Sequence, residues 1–124
     1  MAAGAGGAPD DLLAMVTSAA AEVLRLDGPG QMRPGAPADL VVIPATEATP
    51  AQSLLRCRRS DVSLVVRRGT PVVGEPDLSD AFSLRRIHVR PIEIDGRPRL
   101  MQAGLVRRIE RCLIEEPGVR CVPT

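Results

Sequence analysis

His88, Cys57, Cys112 and Cys121 are all the imidazole and thiol groups the chain offers, and every one of its 16 basic residues is arginine. A hydrolytic metal centre takes three or four protein ligands, usually several histidines, and a nucleophile–histidine–carboxylate relay needs an imidazole beside its nucleophile. A single histidine builds no multi-histidine site within this chain. The absence of lysine removes Schiff-base chemistry, a phosphate-loop ammonium and a modified lysine bridging two metals. The three cysteines are odd in number and spaced 55 and 9 apart, which matches no ligand pair and no disulfide framework. They read as reduced, structural thiols.

Three carboxylates and the arginines complete the candidates. Asp10 and Asp11 stand just ahead of an apolar helical stripe and read as caps for its free N–H groups. Asp39 follows a Gly/Pro-rich turn and precedes an apolar run, so it is expected to accept turn amides rather than to catalyse. His88 lies between Ile87 and Val89, with Arg85, Arg86 and Arg90 close by, and reads as a half-exposed sheet residue. Between residues 56 and 111 there are 13 arginines against 7 acidic residues, although the whole chain carries only +1. That density attracts phosphate-rich partners. Phe82 is the one aromatic residue, however, so base-stacking platforms are missing and nucleic acid is not expected. Solvated strand faces and helix rims are the expected reading, with Glu110 pairing locally to Arg107, Arg108 and Arg111. No residue is assigned as catalytic, cofactor-binding or metal-ligating.

The elements that must hold these residues follow from periodicity. Leu12, Leu13, Met15, Val16, Ala19, Ala20, Val23 and Leu24 recur on one stripe, giving an amphipathic helix stopped by Gly28-Pro29-Gly30. Residues 40–43 are a short apolar run between breakers and read as a buried strand. Residues 50–59 suit one or two helical turns carrying Leu54 and Leu55. A strand over 62–68 passes through Gly69-Thr70-Pro71 to Val72-Val73 as a tight hairpin. Alternation through Leu84, Ile87, Val89, Ile92 and Ile94 leads to Asp95-Gly96, a two-residue turn signal, and a returning strand over 97–101. Pro91 and Pro98 place at least one strand of this hairpin at a sheet edge. Leu105, Val106, Ile109, Cys112 and Leu113 form a last helical stripe ahead of Pro117-Gly118.

Residues 15–74 resemble the C-terminal end of the metal-dependent amidohydrolase superfamily, particularly its cytosine-deaminase-like members. The resemblance rests on Val16-Thr17-Ser18-Ala19-Ala20-Ala21-Glu22-Val23-Leu24-Arg25-Leu26, on Gly30 with Met32-Arg33-Pro34-Gly35-Ala36-Pro37-Ala38-Asp39-Leu40-Val41-Val42-Ile43, and on the hairpin over 62–73. It implies an α+β chain: residues 1–29 as the last helix of a (β/α)8 barrel, 30–83 as an accessory β-domain forming part of a composite β-sandwich, and 84–124 as an added hairpin and C-terminal helix. The parent class hydrolyses C–N bonds of cyclic amides, amidines or amino-heterocycles with a divalent zinc or iron, whose bound water is activated by the metal. The barrel histidines and the modified lysine have no counterpart here, and Asp10 and Asp11 lie too close to the helix to stand for the eighth-strand aspartate. The chain alone is therefore expected to be inactive, with no cofactor of its own. Its expected partners are the missing barrel, the N-terminal strands of a parent chain, or a second copy. The alternative is a free-standing interaction or oligomerisation module. With no signal-like start and no run approaching the roughly 20 apolar residues of a membrane span, a cytoplasmic protein without membrane association is expected.

Overall fold

The computed structural model describes residues 8–26 and 30–123. It is a mixed α+β fold built on one six-stranded antiparallel sheet: β1 (Leu40–Val42), β2 (Leu64–Arg67), β3 (Thr70–Gly74), β4 (Val89–Ile94), β5 (Arg97–Gln102) and β6 (Val119–Cys121), in the order β1-β2-β3-β5-β4-β6. The helices are α1 (Pro9–Val16), α2 (Ser18–Val23), α3 (Pro50–Arg56), α4 (Ser79–Ser83) and α5 (Ala103–Glu110). The register of Val73 with Met101 and Gly74 with Leu100 joins strands from either side of residue 84 into one sheet. Among the described residues no helix is long and apolar enough to cross a membrane.

Both expected hairpins form, but the first turns earlier than expected, at Arg68-Gly69, with Thr70 and Pro71 already in β3. Arg68 and Gly69 link β2 to β3 with φ of 49° and 74°, and Asp95 and Gly96 link β4 to β5 with 49° and 79°. Two successive residues with positive φ give a turn whose twist matches that of the flanking strands. The strand directions place these turns at opposite ends of the sheet. The core is small, comprising Ala21, Ala51, Phe82, Ile92 and Val106. Phe82 of α4 packs onto Gly74, where a Cβ would meet Leu64 Cδ1 at 2.8 Å and Phe82 Cε2 at 3.2 Å. Glycine there opens the seat for the only aromatic ring.

Several local expectations are corrected. The first helix is two pieces, because the Thr17 hydroxyl donates to the Leu13 carbonyl at 2.8 Å and Thr17 leaves helical geometry at φ −127°, ψ −101°. A threonine hydroxyl returning to the carbonyl four residues back competes with the helix. Asp10 and Asp11 do not cap: the N-cap is Ala8, with no side-chain bond, and the two acids sit in the first turn, where they favour the helix dipole. The helical segment ends at Arg25, whose φ is 53° and whose N–H donates to Glu22 while Leu26 N–H donates to Ala21. This is a Schellman-type stop, reached before the expected Gly28-Pro29-Gly30 breaker, of which residues 28 and 29 lie outside the described residues.

Nor is β1 buried. It is an outer strand with Val41 63% exposed, flanked among the described residues by β2 alone. Both strands of the second hairpin are interior, contrary to the proline argument. The reason lies in short pairing: β6 covers only Ile92, Glu93 and Ile94 of β4, and β3 covers only Leu100 and Met101 of β5. Pro91 and Pro98 fall outside those stretches, so neither leaves a gap in the outer ladders. Finally, α5 stops at Glu110. The amides of Arg111 and Cys112 bond three residues back instead of four, and Leu113 is 100% exposed rather than part of an apolar stripe.

Candidate functional site

Among the described residues five arginines form ion pairs: Arg56, Arg59, Arg90, Arg97 and Arg99. At the β4–β5 turn, Arg59 grips Asp95 through two bonds, Nε to Oδ2 at 3.0 Å and Nη2 to Oδ1 at 2.5 Å. The same guanidinium donates to Glu116 Oε1 at 2.6 Å and to the Pro117 carbonyl at 2.8 Å. One side chain thus ties the 59–61 turn, the hairpin and the loop before β6. Its fork geometry suits this, since guanidinium presents donors that a carboxylate accepts in pairs. Hydrogen bonding and attraction from Arg59 hold the Asp95 carboxyl below its ordinary value. Nearby, Arg97 pairs with Asp61 at 3.3 Å.

Arg99 is the residue that sequence reasoning missed. It is 4% exposed, and its Nη2 donates to the Ser60 carbonyl at 2.5 Å and lies 3.5 Å from Glu75 Oε1. Its signal was the period-2 alternation of β5, which puts residue 99 opposite the buried Ile92. Across the sheet, Arg90 forms a two-pronged pair with Glu110, at 2.9 and 2.8 Å. Glu110 is therefore engaged across the α5–β4 junction rather than with its helix neighbours, because β4 presents a partly buried guanidinium directly beneath it. That hydrogen bond holds the Glu110 carboxyl low.

At the other end, the β2–β3 turn carries Arg67 and Arg68, and the chain enters β4 through Arg85 and Arg86. All four are exposed, and none forms an ion pair among the described residues. The Arg85 guanidinium lies 3.7 Å from where a Cβ would stand on Gly69, so the two arginine pairs share one surface. Asp39 is also here. Its Oδ1 accepts the backbone N–H of Arg68 at 2.7 Å, so the expected turn-amide role holds, with the amide supplied by the neighbouring hairpin. Gly35 adopts φ 85°, in keeping with the sharp turn expected before β1.

His88 is exposed and stands one residue ahead of β4 rather than within a strand, and its carbonyl accepts the Ala103 N–H at 2.8 Å. Cys57 and Cys121 are half-buried and Cys112 is exposed; all three are free thiols. Burial, then the charge of Asp61, pushes the Cys57 thiol up, which disfavours a nucleophilic thiolate. Among the described residues no three His, Cys, Asp or Glu side chains come together as a metal-binding group. Comparison with family models, with curated proteins and with solved structures finds no match to the chain.

Proposed function

We propose that the chain is the non-catalytic C-terminal portion of a cytoplasmic amidohydrolase-like protein, whose metal and reacting groups belong to the rest of the parent, and that this portion serves docking. The open edge of β1 carries the reading. Val41 and Val42 are exposed there, and among the described residues no strand pairs with the outer side of β1. Such an edge is a template for another strand. The Gly35-to-Asp39 run feeding β1, and the hairpin closing beside it, support the likeness to an accessory β-domain.

Light scattering on the purified chain tests the reading. The expected result is a mass rising with concentration above the 13.2 kDa monomer, reduced by Val41→Lys, with assays on cyclic amides and amino-heterocycles at background. Turnover by the chain alone, or a monomer that Val41→Lys leaves unchanged, overturns it.

A second reading, a free-standing oligomerisation module, is favoured by Met15, Val16, Val23 and Leu24, which leave α1 and α2 with an exposed apolar face. It predicts that Val16→Glu, and not Val41→Lys, abolishes association.

A further inference from the structure

We infer that the β2–β3 end of the sheet binds phosphate headgroups of an anionic phospholipid surface. Arg67, Arg68, Arg85 and Arg86 take the phosphates, and the exposed side chains of Leu84 and Met32 enter between headgroups. The inference is independent of the docking reading, which concerns the β1 edge and α1–α2.

The first support is the gathering of charge. Like Arg25, Arg33, Arg58, Arg107, Arg108, Arg111 and Arg120, these four form no ion pair among the described residues, and what sets them apart is that two chain segments bring them to one turn. The carboxylate that touches this turn, Asp39, uses Oδ1 on the Arg68 backbone N–H rather than on a guanidinium. Placement is the second support, because the 3.7 Å approach of Arg85 to the Gly69 position brings two separate chain segments together. Four like charges gathered beside a single carboxylate that serves the backbone favour an anionic ligand, and planar guanidinium matches phosphate in pairs of hydrogen bonds.

The apolar neighbours choose between phosphate sources. Leu84, immediately before Arg85, is 85% exposed, and Met32 is 88% exposed. Met32 and Arg33 line a mostly apolar cleft of about 340 Å³ with Pro34, Ala36, Pro37 and Ala38. This cleft adjoins the arginine turn, since the Ala38 carbonyl accepts the Gly69 N–H at 2.9 Å. Apolar side chains flanked by cations suit a headgroup–acyl boundary. A nucleic-acid backbone offers them nothing, and no aromatic ring is present at this end to stack on bases. The short helices are no obstacle, because surface binding needs no spanning segment.

The test uses the full chain with sedimented vesicles of phosphatidylcholine alone or with about one-third phosphatidylserine. Binding is expected only to the anionic vesicles, with loss of most of it on raising salt from about 0.05 to 0.3 M. Removing two headgroup-facing arginines in Arg67→Gln/Arg85→Gln is expected to weaken partition by about tenfold or more. Arg108→Gln/Arg111→Gln, which removes equal charge from the end of α5, should change it far less, and Leu84→Ser should weaken binding without changing its salt dependence. Inorganic phosphate at millimolar concentration should not displace the protein. Equal binding to both vesicle types, equal loss in the two double variants, displacement by free phosphate, or binding to an RNA duplex but not to vesicles each overturns the inference.

Discussion

Two turns of the same backbone geometry face opposite electrostatic situations. Arg68-Gly69 and Asp95-Gly96 both run through successive positive φ values, and each closes an antiparallel pair of the same sheet. At the second, the residue in the first turn position is an acid, and Arg59 reaches it from 36 positions away while also holding Glu116, 57 positions away. Arg97 and Arg99 find Asp61 and Glu75 nearby. At the first, the turn residue is itself an arginine, the next segment to arrive brings Arg85 and Arg86, and the one carboxylate in contact serves the backbone. Turn chemistry is therefore indifferent to charge sign. What lies opposite the turn decides whether the end is sealed or left open for a ligand.

The sealed end should be costly to disturb, and Arg99→Ala is the severest case. It strands the buried Ser60 carbonyl and leaves Glu75 without its partner, so unfolding stability measured in urea should fall by about 3 kcal/mol. Arg99→Met should recover part of that loss by restoring the packed stem.

Arg59→Gln comes next. It should lower the urea midpoint by less than Arg99→Ala, because these groups are solvent-accessible. It should also speed amide exchange at Gly118 and Val119, whose loop Arg59 pins. Unchanged exchange there would dissolve the contrast between the two ends.

Acid should act on the two paired carboxylates, Asp95 at the sealed end and Glu110 beside the start of β4. The folded-state values of Asp95 and Glu110 are depressed by Arg59 and Arg90. Their contribution is therefore present above the ordinary carboxylate range near pH 4 and is lost as pH falls through the depressed values. Urea midpoints taken from pH 6 downwards should show this decline. Asp95→Asn should flatten it, and an unaltered profile in that variant would assign the decline elsewhere.

The open end predicts the gentlest response. Arg68→Asn, at φ 49°, should stabilise the fold by about 0.5 kcal/mol, because asparagine tolerates the left-handed region better than arginine. A loss of stability would mean that the Arg68 side chain already has a structural partner.

Local signals carried much of the architecture. Asp95 with Gly96 specifies a two-residue turn by its φ preference, Gly69 marks the neighbourhood of the first turn though Thr70 and Pro71 join β3 rather than the turn, and the pattern of Val89, Ile92 and Ile94 with the returning strand specifies the second hairpin. Asp39 was legible as an amide acceptor, because a short carboxylate after a turn has little else within reach. Distance along the chain limited the rest. The burial of β1 depended on whether a second strand would arrive beside it. The reach of α5 depended on whether apolar surface would face Leu113, and the meaning of Pro91 and Pro98 depended on where neighbouring strands stopped.

What sequence alone determined is the inventory of reactive groups and the glycine-bearing turns. A single imidazole and a lysine-free set of cations are facts of composition, and positive-φ turn positions act within two residues of themselves. Tertiary structure alone decided which arginines are neutralised. An ion pair is a matter of a few ångströms, and residues 59, 95 and 116 come that close only after the sheet has assembled, whereas residues 67, 68, 85 and 86 are brought together beside an acid, Asp39, that bonds to the Arg68 backbone.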